Sequence, residues 1–167
     1  MIEPLPSRIY LMRHARAASP APDQRDFDRP LHDQGYAEAE LVADKLADRR
    51  FVPDCIISST ATRCRQTAEG IRGAVGETLD ILFVDELYNG TPDIYATVIQ
   101  GQNQSRSVML VGHNPTVGQL LDRLIGAERC RAAIADGFPT AAVAVLDYDD
   151  TSPPDQPRWR LVELLKP

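Results

Sequence analysis

Two stretches constrain this chain more than any other. Ile9-Tyr10-Leu11-Met12 is an unbroken apolar run that ends on Arg13-His14, and far downstream Val108-Met109-Leu110-Val111 ends on Gly112-His113. A short apolar run bounded by charge reads as a buried strand. In an open α/β sheet, ligands bind in the crevice beyond the carboxyl ends of the strands. A histidine there is placed for chemistry, and an arginine beside it is placed to hold an anion. The chain has 3 histidines, and two of them follow these strands.

The rest of the chain alternates in the same way. Strands are expected at 8–13, 55–58, 79–84, 107–111, 141–146 and 159–165. A helix over 33–49 would bury Ala37, Leu41, Val42 and Leu46, and one over 60–75 would bury Ala61, Cys64, Ala68, Ile71 and Val75. Ser59 or Thr60 can cap the second. Thr91-Pro92 opens a third helix, 92–101, and Asn114-Pro115 opens a fourth with Asn114 as its cap. That fourth helix buries Val117, Leu120, Leu121, Leu124 and Ile125, and Gly126 stops it. Segment 15–32, with Pro20, Pro22 and Pro30, reads as a long irregular loop, a length that is usually functional or disordered. Strands alternating with helices imply an α/β fold, a three-layer α/β/α sandwich around a mostly parallel sheet. The connection before the last strand is too short for a crossover, so an antiparallel C-terminal edge strand is expected.

A chain of 167 residues is expected to be a single domain, 1–167, with one sizeable core. Its net charge of -6 argues against nucleic acid as a partner but allows a locally positive pocket. No apolar run reaches bilayer length, and Met1-Ile2-Glu3-Pro4-Leu5-Pro6, within a lead-in over 1–7, has no secretory pattern. Cys55, Cys64 and Cys130 are odd in number and lack metal-type spacing. A reduced, cytoplasmic protein without a membrane partner is expected, with its oligomeric state left open.

Three further features bear on the chemistry. Arg63 lies in the first turn of the helix after the second strand, where free N–H groups and an arginine fork both suit phosphate. Its ordinary alternative is a surface arginine, the reading kept for Arg65. Gly112-His113-Asn114-Pro115 combines a glycine that allows close backbone approach with a second histidine; the alternative is a satisfied loop histidine. Glu86, in the turn after the third strand, could protonate a leaving group. Asp85 could exchange roles with it, and a solvated turn acid is the plain alternative. Two arginines would bind a phosphoryl group and stabilise charge on its oxygens. A neutral imidazole is a competent nucleophile. The rival chemistries lack their residues: the sixth positions after the cysteines are Ala61, Gly70 and Asp136, so no Cys-x5-Arg loop exists. No Gly-x-x-x-x-Gly-Lys-Ser/Thr loop and no His-x-x-x-His metal pair is present. Asp26 and Asp28 resemble a carboxylate pair but read as loop charges.

Leu11-Met12-Arg13-His14-Ala15 resembles the Arg-His-Gly signature of the histidine phosphatase, or phosphoglycerate-mutase-like, superfamily. Ser58-Ser59-Thr60-Ala61-Thr62-Arg63-Cys64-Arg65-Gln66-Thr67-Ala68 is similar to its Ser-x-x-x-Arg-x-x-Gln-Thr-Ala block. Val111-Gly112-His113-Asn114 resembles the second-histidine block, and Arg29-Pro30-Leu31 with Gly35 resembles the element that opens the first helix. Together these blocks cover most of the chain in the family's order. The resemblance implies His14 as nucleophile, Arg13 and Arg63 as phosphate ligands, His113 completing the pocket and Glu86 as proton donor. No cofactor or metal is implied. The short chain, with little room for an inserted subdomain between Tyr88 and Arg106, looks most like the compact SixA-type phosphohistidine phosphatases. Ala15 replaces the usual glycine, and His32 stands where threonine is common, which leaves its capping role open and its part structural. The expected function is hydrolysis through phosphorylated His14, with a phosphohistidine-carrying protein as substrate. A small-molecule phosphomonoesterase and a non-catalytic phospho-ligand binding module are the alternatives.

Overall fold

The apolar residues of β1 (Arg8–Arg13) serve two cores. Successive strand side chains point to opposite faces, so Tyr10 and Met12 enter one buried cluster and Ile9 and Leu11 the other. The structure, a computed structural model, describes residues 6–167. Of the lead-in expected over 1–7, and of the stretch read for a secretory pattern, residues 1–5 lie outside the described residues.

β1 sits inside a six-stranded sheet with β2 (Cys55–Ser59), β3 (Ile81–Val84), β4 (Ser107–Gly112), β5 (Val143–Tyr148) and β6 (Trp159–Leu165), in the order β3-β2-β4-β1-β5-β6. The β3-β2, β2-β4 and β4-β1 pairs are parallel, whereas β5 is antiparallel to both β1 and β6. The edge pairing is therefore antiparallel as expected, but the strand that reverses is β5, one position inside the edge. β6 regains the direction of β1. In the β1-β4 register Arg13 lies opposite Gly112. Each strand is followed at once by its histidine, so the register alone sets His14 beside His113.

Helices cover both faces, as the three-layer expectation required. α1 (Asp33–Asp48) and α2 (Thr62–Val75) share a core with Ile56, Met109 and Val143. α3 (Pro92–Gln100) and α4 (Thr116–Ile125) pack on Leu11, Ile57, Leu110 and Ala144 opposite. Among the described residues no helix is long and apolar enough to cross a membrane.

Local expectations fail where tertiary contact overrides pattern. α1 buries Gly35, Ala39, Val42, Ala43 and Leu46, while Ala37 is exposed and Leu41 is 52% exposed. Its phase is set by Gly35, whose Cα packs so closely on the Arg16 carbonyl that a Cβ would collide. His32 does cap α1: its Nδ1 accepts from the Gln34 N–H at 3.0 Å. α2 starts at Thr62 with Ala61 in the cap position and no side-chain cap. Ser59 instead accepts from the Ala61 N–H at 3.2 Å, and the Thr60 hydroxyl is buried without a partner among the described residues. Asn114 does not cap α4 either, because its amide donates to the Phe138 carbonyl at 3.2 Å. Gly126, at φ +89°, stops α4 as expected but turns straight into an unanticipated short helix, α5 (Ala127–Ala133). β5 begins two residues late because Ala141 takes φ +60° and donates its N–H to the His14 carbonyl at 3.2 Å.

Candidate active site

The site is built from strand ends. The His14 N–H donates to the Gly112 carbonyl at 3.0 Å, prolonging the β1-β4 pairing by one step. Ala15 then donates to the Thr67 hydroxyl of α2 at 3.0 Å, which ties the chain after β1 to the helix that carries Arg63. On the His14 ring, Nδ1 lies 2.7 Å from the Ala15 carbonyl. A carbonyl can only accept, so Nδ1 carries the proton and Nε2 keeps its lone pair. That lone pair meets Arg63, whose Nε donates to it at 3.3 Å. Burial, reinforced by the positive charges of Arg63, Arg13 and Arg29 and opposed by the Ala15 carbonyl, pushes the His14 pKa down to about 4. The ring is neutral near pH 7.

His113 is held from three sides. Its N–H donates to the Tyr95 hydroxyl at 3.1 Å, and that hydroxyl donates to the Leu87 carbonyl at 2.9 Å. The ring Nδ1 is 3.4 Å from Arg63 Nη2, a donor, so Nδ1 accepts and Nε2 is free to donate to the Ser59 hydroxyl at 2.9 Å. Burial, then the neighbouring His14 and Arg63, lowers its pKa to about 3. The two imidazoles meet edge to face with centroids 5.4 Å apart.

The two arginines differ in restraint. Arg63 is 6% exposed, and each of its three guanidinium nitrogens has a partner. Arg13 donates from Nη1 to the Phe138 carbonyl at 2.9 Å, while its Nε is buried with no partner among the described residues. A buried donor without a partner is costly unless something accepts from it, and an anion's oxygen is such an acceptor. The structure thus gathers His14, Arg13, Arg63 and His113 beyond the carboxyl ends of β1, β2 and β4. Arg65 points away, over the Phe83 ring at 4.3 Å, as a surface arginine.

Glu86 is not gathered with them. The short 3₁₀ turn Asp85–Leu87 buries Leu87 fully and leaves Asp85 and Glu86 exposed. Neither carboxylate bonds to the cluster among the described residues. Two residues that sequence reasoning passed over take part instead. Asp26, read as a loop charge, accepts from Arg63 at 3.0 Å and from the Tyr88 hydroxyl at 2.6 Å. Tyr88 sets its ring edge to face with His113 at 5.5 Å and with Phe27 at 5.1 Å. Tyr88 follows β3, so the strand-end rule that found the histidines could have found it. No spacing signal marks Asp26, because it arrives through an irregular segment. Among the described residues no group of three or more His, Cys, Asp and Glu could hold a metal ion.

An α/β sandwich with two neutral imidazoles and two guanidiniums beyond its strand ends defines a phosphoryl-handling hydrolase, a phosphatase. Residues 9–89 match the family model of the histidine phosphatase superfamily, branch 1. The crystal structure of the Agrobacterium tumefaciens protein assigned as the phosphohistidine phosphatase SixA is similar at 48% identity with a TM-score of 0.89, covering 98% of this chain and 99% of that one. Phosphohistidine phosphatase SixA of Escherichia coli strain K12 is 26% identical over 86% of this chain and 87% of its own. An uncharacterised protein of Mycobacterium tuberculosis strain H37Rv is 34% identical over 81% and 85%. The chain belongs to the histidine phosphatase superfamily, in its SixA-type branch.

Proposed function

We propose that residues 1–167 form one cytoplasmic phosphohistidine phosphatase unit that works through His14. Its Nε2 lone pair attacks phosphorus; the Nε2–P bond forms as the bond to the leaving group breaks. Water then attacks the phosphohistidine, releasing inorganic phosphate and restoring the neutral ring. Arg13 and Arg63 hold the phosphoryl oxygens and stabilise the charge that spreads over them. His113 joins them by taking a proton at Nδ1 as the anion enters, since a nearby negative charge favours the charged ring. The observation that carries this reading is the His14 tautomer: Nδ1–H bound to the Ala15 carbonyl at 2.7 Å leaves Nε2 as the nucleophilic atom. A pre-set tautomer and a pKa of about 4 mean that no proton must leave the ring before attack. The non-catalytic alternative has no need of such a poised lone pair.

The substrate reading rests on the exposed Glu86 and on the SixA relatives. An alkoxide leaving group needs a proton, whereas the imidazole of a phosphohistidine can leave as a neutral ring. A site that draws no carboxylic acid to its nucleophile suits the second substrate. The free thiols of Cys55, Cys64 and Cys130 suit a reducing compartment.

The deciding measurement compares kcat/KM on a phosphohistidine-carrying protein with that on a panel of sugar, nucleotide and aryl phosphates. Phosphohistidine is expected to be preferred. The Glu86→Gln variant is expected to keep its rate on phosphohistidine and on alkyl esters alike, because its carboxylate bonds to no member of the cluster among the described residues. Slowing on esters alone would make Glu86 a proton donor. Preference for one small ester by orders of magnitude would replace this substrate with a phosphomonoester. Absence of any turnover, with phosphate still bound, would make the chain a binding module.

A further inference from the structure

A guanidinium has two bidentate edges: the end formed by Nη1 and Nη2, and the side formed by Nε and Nη2. In Arg63 the end is clasped by a single residue. Nη1 donates to the Asp26 main-chain carbonyl at 2.8 Å, and Nη2 donates to the Asp26 carboxylate at 3.0 Å. The side edge faces the two imidazoles over longer distances, Nε to His14 at 3.3 Å and Nη2 to His113 at 3.4 Å. Those long contacts lie where a phosphoryl group must come to reach His14.

Asp26 is itself fixed. Its second carboxylate oxygen accepts from Arg29 Nε at 2.9 Å, and the oxygen on Arg63 also accepts from the Tyr88 hydroxyl at 2.6 Å. Tyr88 ties this carboxylate to the turn after β3, with its ring against His113. The hydroxyl of Tyr88, then Arg63 and Arg29, hold the Asp26 pKa down to about 2, so the clasp is ionised at any working pH. An ion pair whose acid is 51% exposed contributes little to stability by itself. Its main-chain and side-chain oxygens together nevertheless leave the guanidinium one orientation.

We propose that Asp26 is a positioning residue of the phosphatase site, which clasps the end of the Arg63 guanidinium so that the side edge is presented to the phosphoryl group between His14 and His113. This rests on the reading that His14 and Arg63 handle the phosphoryl group. The 15–32 segment, which carries Asp26 at the start of a short 3₁₀ turn, thereby completes the site through the two oxygens of this one residue, and Tyr88 braces it from the turn after β3.

The test is a double-mutant cycle on the full chain: wild type, Asp26→Ala, Arg63→Ala and the double variant, with Asp26→Asn and Tyr88→Phe alongside. Aryl phosphate hydrolysis and tungstate affinity are measured on each, with thermal melts to confirm folding. Misplacing a catalytic fork by about 1 Å costs about 100-fold, so Asp26→Ala is expected to lose about 10- to 100-fold in kcat/KM and to weaken tungstate in parallel. Asp26→Asn, which keeps an acceptor, should fall between it and wild type. In the Arg63→Ala background, removing Asp26 should cost less than about threefold, because its partner is gone. Equal losses with and without Arg63, unchanged kinetics, or tighter tungstate binding on removing Asp26 would each overturn the proposal. If Asp26→Ala does not fold, Asp26→Asn and Tyr88→Phe decide it by the same criteria. Wild-type turnover that disappears in His14→Ala upholds the phosphatase reading whatever Asp26 does. Were wild type inert, the tungstate affinities alone would still decide whether Asp26 acts through Arg63.

Discussion

His14 and His113 are held neutral by burial and by arginine charge, with pKa values near 4 and 3 against about 6.5 for a free imidazole. Because kcat/KM reports ionisations of the free enzyme, its acid limb should fall near pH 4, where His14 loses its lone pair to a proton. An inflection near pH 6.5 would mean that the ring is not shielded as the structure has it. The same shifts act on stability. Between the folded and unfolded values the unfolded chain binds more protons, so stability rises with pH across that interval. The contribution is complete above about pH 6.5 and is lost as pH falls through the folded values. Thermal midpoints measured from pH 7 down to pH 4 should therefore drop, and should drop less in a His14→Gln variant.

At the scale of elements, β4 and α3 act as one device through a glycine. A Cβ at Gly112 would come within 2.6 Å of the Tyr95 hydroxyl and 2.7 Å of its ring. Only the bare backbone lets that ring lie flat enough for its hydroxyl to hold both the His113 N–H and the Leu87 carbonyl. Tyr95→Phe should leave two buried backbone groups short of a partner and cost about 1–3 kcal/mol of stability, read from urea unfolding. Gly112→Ala should cost a similar amount by overpacking, about 1–3 kcal/mol. Both should also lower kcat, since they move the strand end that carries His113. Unaltered stability in Tyr95→Phe would show that the hydroxyl bridge is not needed. The glycine's role was legible in Gly112-His113, but the identity of its partner was not. No motif or spacing in the sequence singles out Tyr95 as that partner, which is met only through the packing of α3 on β4.

For the molecule as a whole, the site is made of side chains and helix or strand ends, with no metal-ligand cluster among the described residues. Activity should therefore persist in EDTA, while vanadate or tungstate, which mimic a phosphoryl group in transit, should inhibit. Activity that disappears on chelation and returns with a divalent cation would contradict this mechanism. The sequence by itself determined the layers, because runs such as Ile9–Met12 and Val108–Val111 can only be buried between helices. It also singled out four side chains that the structure brings together, His14, Arg13, Arg63 and His113, since strand ends and a helix start are local features. What it could not determine depended on contacts between segments far apart in the chain. The burial phase of α1 is decided by the Gly35 contact with the Arg16 carbonyl, which overrides the apolar spacing that favoured Leu41. Glu86 faces outward because Leu87 takes the inward position of a three-residue turn. Asp26 reaches Arg63 across 37 positions of sequence, through a loop with no periodicity to read. Local pattern dictates which side chains a strand or helix can bury, but only tertiary packing decides which charges meet.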